Sequence, residues 1–188
     1  MTAQFSDPVK YRGKNYALAG KNGSDLFDPG AHGMKPVGSC SACWRGFVCT
    51  YAVEGQKLLL DSLAVCLDDP APVLFGVSAQ RDNGSYAIFD AVYERIGHEI
   101  GYTGGLLLAD GFIQELYVHM GFHPAWKYRE VHELVFRDGH LVQESDRSEQ
   151  MAELREEVGD RPLSPGGGTT RVDIKRWIER CFSLDYSW

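Results

Sequence analysis

The feature that most constrains this chain is an internal echo: the order of turn-forming and aromatic residues in 100–142 recurs, more loosely, in 9–60. The later stretch opens Tyr102-Thr103-Gly104 and runs through Leu108 to Gly111, while the earlier one opens Tyr11-Arg12-Gly13 and runs through Leu18 to Gly20. Each then reaches a leucine followed by an aromatic (Leu116-Tyr117, Leu26-Phe27), a histidine (His119, His32), a Gly-x-x-Pro and a tryptophan (Trp126, Trp44). Both close on an acidic-Gly pair between apolar runs, Asp138-Gly139 and Glu54-Gly55, where a tight hairpin needs residues that tolerate positive φ. Tyr-x-Gly before an apolar run reads as a further hairpin in each stretch, turning at Gly13 and at Gly104. A unit of about fifty residues buries too little surface to stand alone, so two such units are expected to share one core. The expected fold is α+β: a duplicated antiparallel β unit with two hairpins per copy, forming a pseudo-twofold sandwich or barrel-like core with about three helices. Chance matching of glycines and aromatics, which abound in β-rich chains, is the competing explanation.

The helices are read from apolar spacing. Ile88, Phe89, Val92, Tyr93 and Ile96 follow the i, i+3, i+4 rule without Pro or Gly until Gly97, which predicts a connecting helix over about 85–97. A second is expected over about 146–158, where Asp146 and Glu149 have capping-box spacing and Met151, Leu154 and Val158 form a narrow stripe. Ile174, Trp177, Ile178, Cys181 and Phe182 give the third, an amphipathic helix within 169–188 that folds back on the core or docks on a second copy as a homodimer. The Gly/Pro stretch 159–168 reads as a linker before a threonine cap. It precedes a helix and could offer amides to an anion, yet it lacks the Gly-Lys-Ser/Thr ending of a phosphate loop. The expected organisation is therefore one β-rich domain over 1–160 whose first eight residues are a loosely held leader, then the linker, then the helix.

Composition narrows the function classes. A hydrophobic content of 44% suffices for a packed core, and the lack of an apolar run near membrane-spanning length predicts no membrane partner. The five cysteines are odd in number and irregularly spaced, which suits reduced thiols in the cytoplasm. A formal charge of −7 and a pI near 5.3 argue against nucleic acid and suit a basic protein partner, or simply a solvated surface.

Chemistry is signalled weakly. Cys40-Ser-Ala-Cys43 reads as half a zinc site, a redox pair, or two small buried residues beside a strand. His119 and His123 have the i, i+4 spacing of two imidazoles on one helical face, although Gly121 and Pro124 oppose a regular helix there. The candidate metal ligands are thus Cys40, Cys43, His119 and His123, with zinc the metal they admit; otherwise no cofactor is expected. Cys40 or Cys43 with His32 and Asp28 could also form a nucleophilic set, which only geometry can establish. His32, Trp44, Tyr117, His119, His123 and Trp126 are the candidate ligand-binding residues, expected to converge on a groove between the two units. With no nucleophile elbow and no phosphate loop, the function expected is a non-enzymatic intracellular binding or regulatory protein that recognises a protein or small ligand in that groove. The alternative is a small His/Cys-dependent, zinc-binding enzyme with its site on the irregular segments between hairpins.

Overall fold

A computed structural model describes residues 2–38, 40–81, 88–158 and 170–186. The 159–168 linker and the first residues of the expected 85–97 helix lie outside the described residues.

Among the described residues nine strands form one sheet: β1 (Pro8–Tyr11), β2 (Lys14–Gly23), β3 (Phe47–Glu54), β4 (Lys57–Val65), β5 (Ala91–Tyr93), β6 (His98–Glu99), β7 (Gly104–Phe112), β8 (Tyr128–Arg137) and β9 (His140–Asp146). Their hydrogen-bonded order, β3-β1-β2-β7-β8-β9-β4, returns to its start because β4 also pairs with β3. The result is a closed ring, with β5 and β6 added along β4. Pairing is antiparallel except between β1 and β3. The seam between β4 and β9 is the slightest join, a single register pair at Lys57 and His140. Backbone bonds from Leu58 N to Gly139 O (2.8 Å) and Leu141 N to Gln56 O (2.7 Å) close it.

Strand alternation puts one side-chain set inside the ring. Val9, Tyr11, Leu18, Tyr51, Leu60, Leu106, Leu108, Leu134 and Phe136 are buried there, so the barrel is filled by its own side chains. Burial of each such group contributes about 1.5–3 kcal/mol. On the outer face of β2, β7 and β8 a second, smaller-residue layer (Ala19, Leu107, Ala109, Val131) meets Ala125, Trp126 and Met151.

Three hairpins turn through paired left-handed residues, the geometry that matches the natural twist of two strands: Arg12-Gly13 (φ 50°, 76°), Gly55-Gln56 (φ 54°, 64°) and Asp138-Gly139 (φ 47°, 76°). The structure thus has hairpins β1–β2, β3–β4 and β8–β9, but no hairpin at Gly104. Gly104 instead lies at the start of β7 opposite Gly23, where a Cβ would collide with the Asn22 carbonyl, so the glycine serves close strand approach rather than a turn. The closing turns also differ in phase, glycine coming first in Gly55-Gln56 and second in Asp138-Gly139.

The expected 85–97 helix is not formed over its described part. Ala91–Tyr93 is a strand against Leu63–Val65, with Ala91 and Tyr93 buried and Val92 facing out. Two α-helices are present among the described residues. α1 (Ser148–Val158) covers the outer face with Met151, and its Arg155 donates to the Trp126 and Tyr128 carbonyls at 2.8 and 2.7 Å. α2 (Arg171–Phe182) starts at a capping box of Thr170 and Asp173 and ends on the core: the Cys181 carbonyl accepts from Phe122 N, and Phe182 stacks on Trp44 at 4.7 Å. Beyond it, Lys21 N donates to the Leu184 carbonyl at 2.6 Å, and Tyr186 lies against Gly20 and Gly105 with its hydroxyl donating to Glu133 at 2.9 Å.

Nor are the first residues a loose leader. Gln4 N donates to Gly121 O at 2.7 Å, Phe5 N to Ala42 O at 2.9 Å, and Asp7 is buried.

A candidate functional site at the barrel end

A cleft of about 400 Å³ opens at the end of the barrel where β1 begins and β2 finishes. Its floor is apolar, from Leu18, Phe27, Phe47, Tyr51 and Leu184, and its walls carry Asp7, Lys21, Asp25, Asp28 and Arg45. β2 supplies Leu18 and Lys21, and β3 supplies Phe47 and Tyr51. The segment before the 3₁₀ turn Pro29–His32 supplies Phe27 and Asp28, the latter capping that turn through Gly30 N at 2.8 Å.

The buried polar groups that line the cleft are already engaged. The Asp7 carboxylate accepts two bonds from the Arg45 guanidinium, one of them at 2.9 Å, and a third from Cys49 N at 2.8 Å. Such a pair survives burial only when its lone pairs are satisfied in this way. Arg45 also lies over the Phe47 ring at 4.8 Å. The Tyr51 hydroxyl accepts from Phe27 N at 3.2 Å. Burial, and then the neighbouring Cys49 thiol, hold Tyr51 well above its ordinary pKa, and burial does the same to Cys49. Neither is poised to lose a proton. The rim is different: Lys21 reaches Asp25 only at 3.7 Å, and the Asp25 side chain is 99% exposed. Three carboxylates face two cations here, so the cleft favours a positive over a negative visitor.

The residues expected to bind ligand fall elsewhere, in two groups. His32 stacks on Phe27 at 4.9 Å and meets Phe75 edge-on at 5.0 Å, and His98 stacks on Phe75. Tyr117, His119 and His123 form a chain of ring contacts with Phe112, at 4.8 Å between Tyr117 and His119 and 4.6 Å between Phe112 and His123. Trp126 belongs to the outer-face layer beside them, and Trp44, half exposed, joins the same side through Phe182 and through Gln4, whose Oε1 accepts from Trp44 N at 3.2 Å. His32 is thus apart from the other five, and none of the six lines the cleft.

Among the described residues no group of three or more His, Cys, Asp or Glu side chains is arranged to hold a metal ion. Cys40 and Cys43 face each other across a tight turn as free thiols, and burial raises the Cys43 pKa. Cys43 donates weakly to the Phe47 carbonyl at 3.4 Å, Asp28 is used as a cap, and His32 is occupied by aromatic stacking, so a Cys-His-Asp set is not assembled. The reading from sequence missed Asp7, Lys21, Asp25, Arg45 and Tyr51 because they converge only when β1 lies between β2 and β3; the one local sign was Asp28 before Pro-Gly. Comparison of the chain with models of known protein families, with curated proteins and with solved structures found no match.

Proposed function

We infer that the protein is a non-enzymatic binding module whose barrel-end cleft receives a basic group carried on an apolar body, from a small ligand or from a side chain of a protein partner. The observation that carries this reading is a cleft with an apolar floor, whose buried polar groups are satisfied and whose rim carboxylates outnumber its cations. Catalysis asks for a group with a free valence aimed at substrate, whereas recognition asks for shape, an apolar contact and complementary charge. The free thiols and acidic charge support a cytoplasmic setting. No helix among the described residues is long and apolar enough to cross a membrane. An ancestral duplication stays a proposal about origin, supported by the paired closing hairpins β3–β4 and β8–β9. Homodimer formation through the exposed apolar residues of α2 has the same standing.

The test is a titration of isotope-labelled protein with a short Leu/Arg peptide and with the matched Leu/Glu peptide, followed by shifts of Phe27 and Tyr51 resonances. The basic peptide is expected to bind preferentially and to weaken about tenfold, or about 1.4 kcal/mol, in an Asp25→Asn, Asp28→Asn variant. Equal response to both peptides, or shifts confined to other faces, would sink this reading.

A further inference from the structure

The five thiols are unevenly placed. Cys49 is enclosed among the side chains that fill the barrel, Cys66 is buried with its Sγ donating to the Ile88 carbonyl at 2.8 Å, and Cys181 sits on the last turn of α2. Cys40 and Cys43 are instead directly opposed. They flank the two-residue turn Ser41-Ala42 as an antiparallel pair, with Cys43 N donating to the Cys40 carbonyl at 3.1 Å. Opposed residues in a hydrogen-bonded antiparallel pair have Cα atoms about 5.5 Å apart, inside the window of about 4.4–6.8 Å that a disulfide spans. The reduced turn therefore already has the backbone spacing of an oxidised one. The two thiols differ in access: Cys43 is 2% exposed, whereas Cys40 is half-buried against the same apolar cluster.

This turn is also where both ends of the chain are held. Phe5 N donates to the Ala42 carbonyl at 2.9 Å, the Gln4 side-chain amide donates to the Ser41 carbonyl at 2.8 Å, and Trp44, the next residue, carries the Phe182 stack of α2. We propose that Cys40 and Cys43 are a dithiol that a small disulfide converts to an internal disulfide, fastening the turn on which both chain ends rest. Cys40, the more accessible, loses its proton and its thiolate attacks one sulfur of the reagent RSSR. The reagent S–S bond breaks, RS⁻ leaves and takes up that proton, and Cys40 carries a mixed disulfide. The Cys43 sulfur then attacks the Cys40 sulfur, and its proton passes to the second departing RS⁻. Two protein thiols lose two electrons and two hydrogens, and one RSSR becomes two RSH. Burial shields Cys43 from the reagent and raises its pKa, which fixes the order of the two steps. Once formed, the cross-link holds the turn closed, so the bonds it makes to residues 4 and 5 open less often.

Full-length protein is incubated with oxidised glutathione at neutral pH, its remaining thiols are alkylated in denaturant, and the tryptic peptides are weighed. Cys40 and Cys43 fall in one peptide, 22–45, that holds no other cysteine. That peptide is expected to lose two hydrogens and carry no glutathione, while Cys49, Cys66 and Cys181 are recovered alkylated. In Cys43→Ser the reaction should stop at the mixed disulfide on Cys40, and in Cys40→Ser oxidation of Cys43 should slow at least about tenfold. Amide exchange at Phe5, read by NMR, should be at least about threefold slower in the oxidised protein and recover on reduction. A lasting glutathione adduct at Cys40 in the wild type, a Cys43–Cys66 linkage, or an unchanged peptide 22–45 would overturn the proposal. So would undiminished oxidation of Cys43 in Cys40→Ser, or Phe5 exchange that ignores the redox state.

Discussion

Asp7 and Arg45 are unequal partners, their side chains 5% and 27% exposed. Replacing Arg45 by Met strands a buried carboxylate and is expected to cost about 3–5 kcal/mol, whereas Asp7→Leu with Arg45→Met should recover much of that loss. Urea denaturation of the two single variants, the double and the wild type gives the coupling; a purely additive cycle would show the two residues independent. His123 gives the molecule an acid sensitivity of definite sign. Its folded pKa of about 4 lies below the ordinary 6.5, so between those values the unfolded chain binds more protons. Its contribution is complete above about 6.5 and lost as pH falls toward 4, on the order of 2 kcal/mol. His123→Leu should flatten thermal stability across that window, read by calorimetry at several pH values. At this scale the sequence is a partial guide. The His119 and His123 spacing marked a real neighbourhood, but Gly121 (φ 68°) breaks the backbone between them, and aromatic rings pack against both. Asp7 resembled part of a solvated terminus because its partner is far along the chain.

Among the elements, hairpins were the most legible, since their turn chemistry is local. Gln56 is the turn residue least suited to its place, a non-glycine at φ 64°, and Gln56→Asn should raise stability by about 0.5 kcal/mol without changing the fold. A shift in the denaturation midpoint at constant slope would check this. The glycine at 104 misled because a glycine in a strand and a glycine in a turn look alike in sequence. The run through Ile88 and Tyr93 misled because its apolar spacing also contains the alternation of Ala91 and Tyr93, and the open edge of β4 chose the strand. Thr170 and the periodicity after it were enough to mark α2. Gly105 carries a second local test. A Cβ there would collide with the Tyr186 hydroxyl, so Gly105→Ala should release the C-terminal segment from β7 and speed its removal by carboxypeptidase, with the barrel's circular dichroism unchanged.

For the whole molecule, closure of the sheet was the least legible property, because no local pattern reports that β2 pairs with β7 or that β1 lies parallel to β3. What the sequence did carry was the amount of apolar surface and its strand-like alternation, sufficient for a barrel-like core but silent on strand order. Limited trypsin digestion should separate the scales of stability: cuts at Arg171, Lys175 and Arg176 in the exposed α2 are expected well before any within the strands, and simultaneous loss of both would mean that helix and barrel unfold together. The ring also has a direction in time. During synthesis β1 to β4 leave the ribosome first, and β2 must wait for β7 while β4 waits for its seam with β9. A nascent chain stalled near residue 102 therefore shows an unpaired β2 edge of ten residues, the template on which strands of neighbouring chains add. Stalled at 102 it should be captured by a holdase chaperone, and stalled after 146 it should escape. The slender β4–β9 seam is then the last act of a fold that cannot protect itself until most of it has been made.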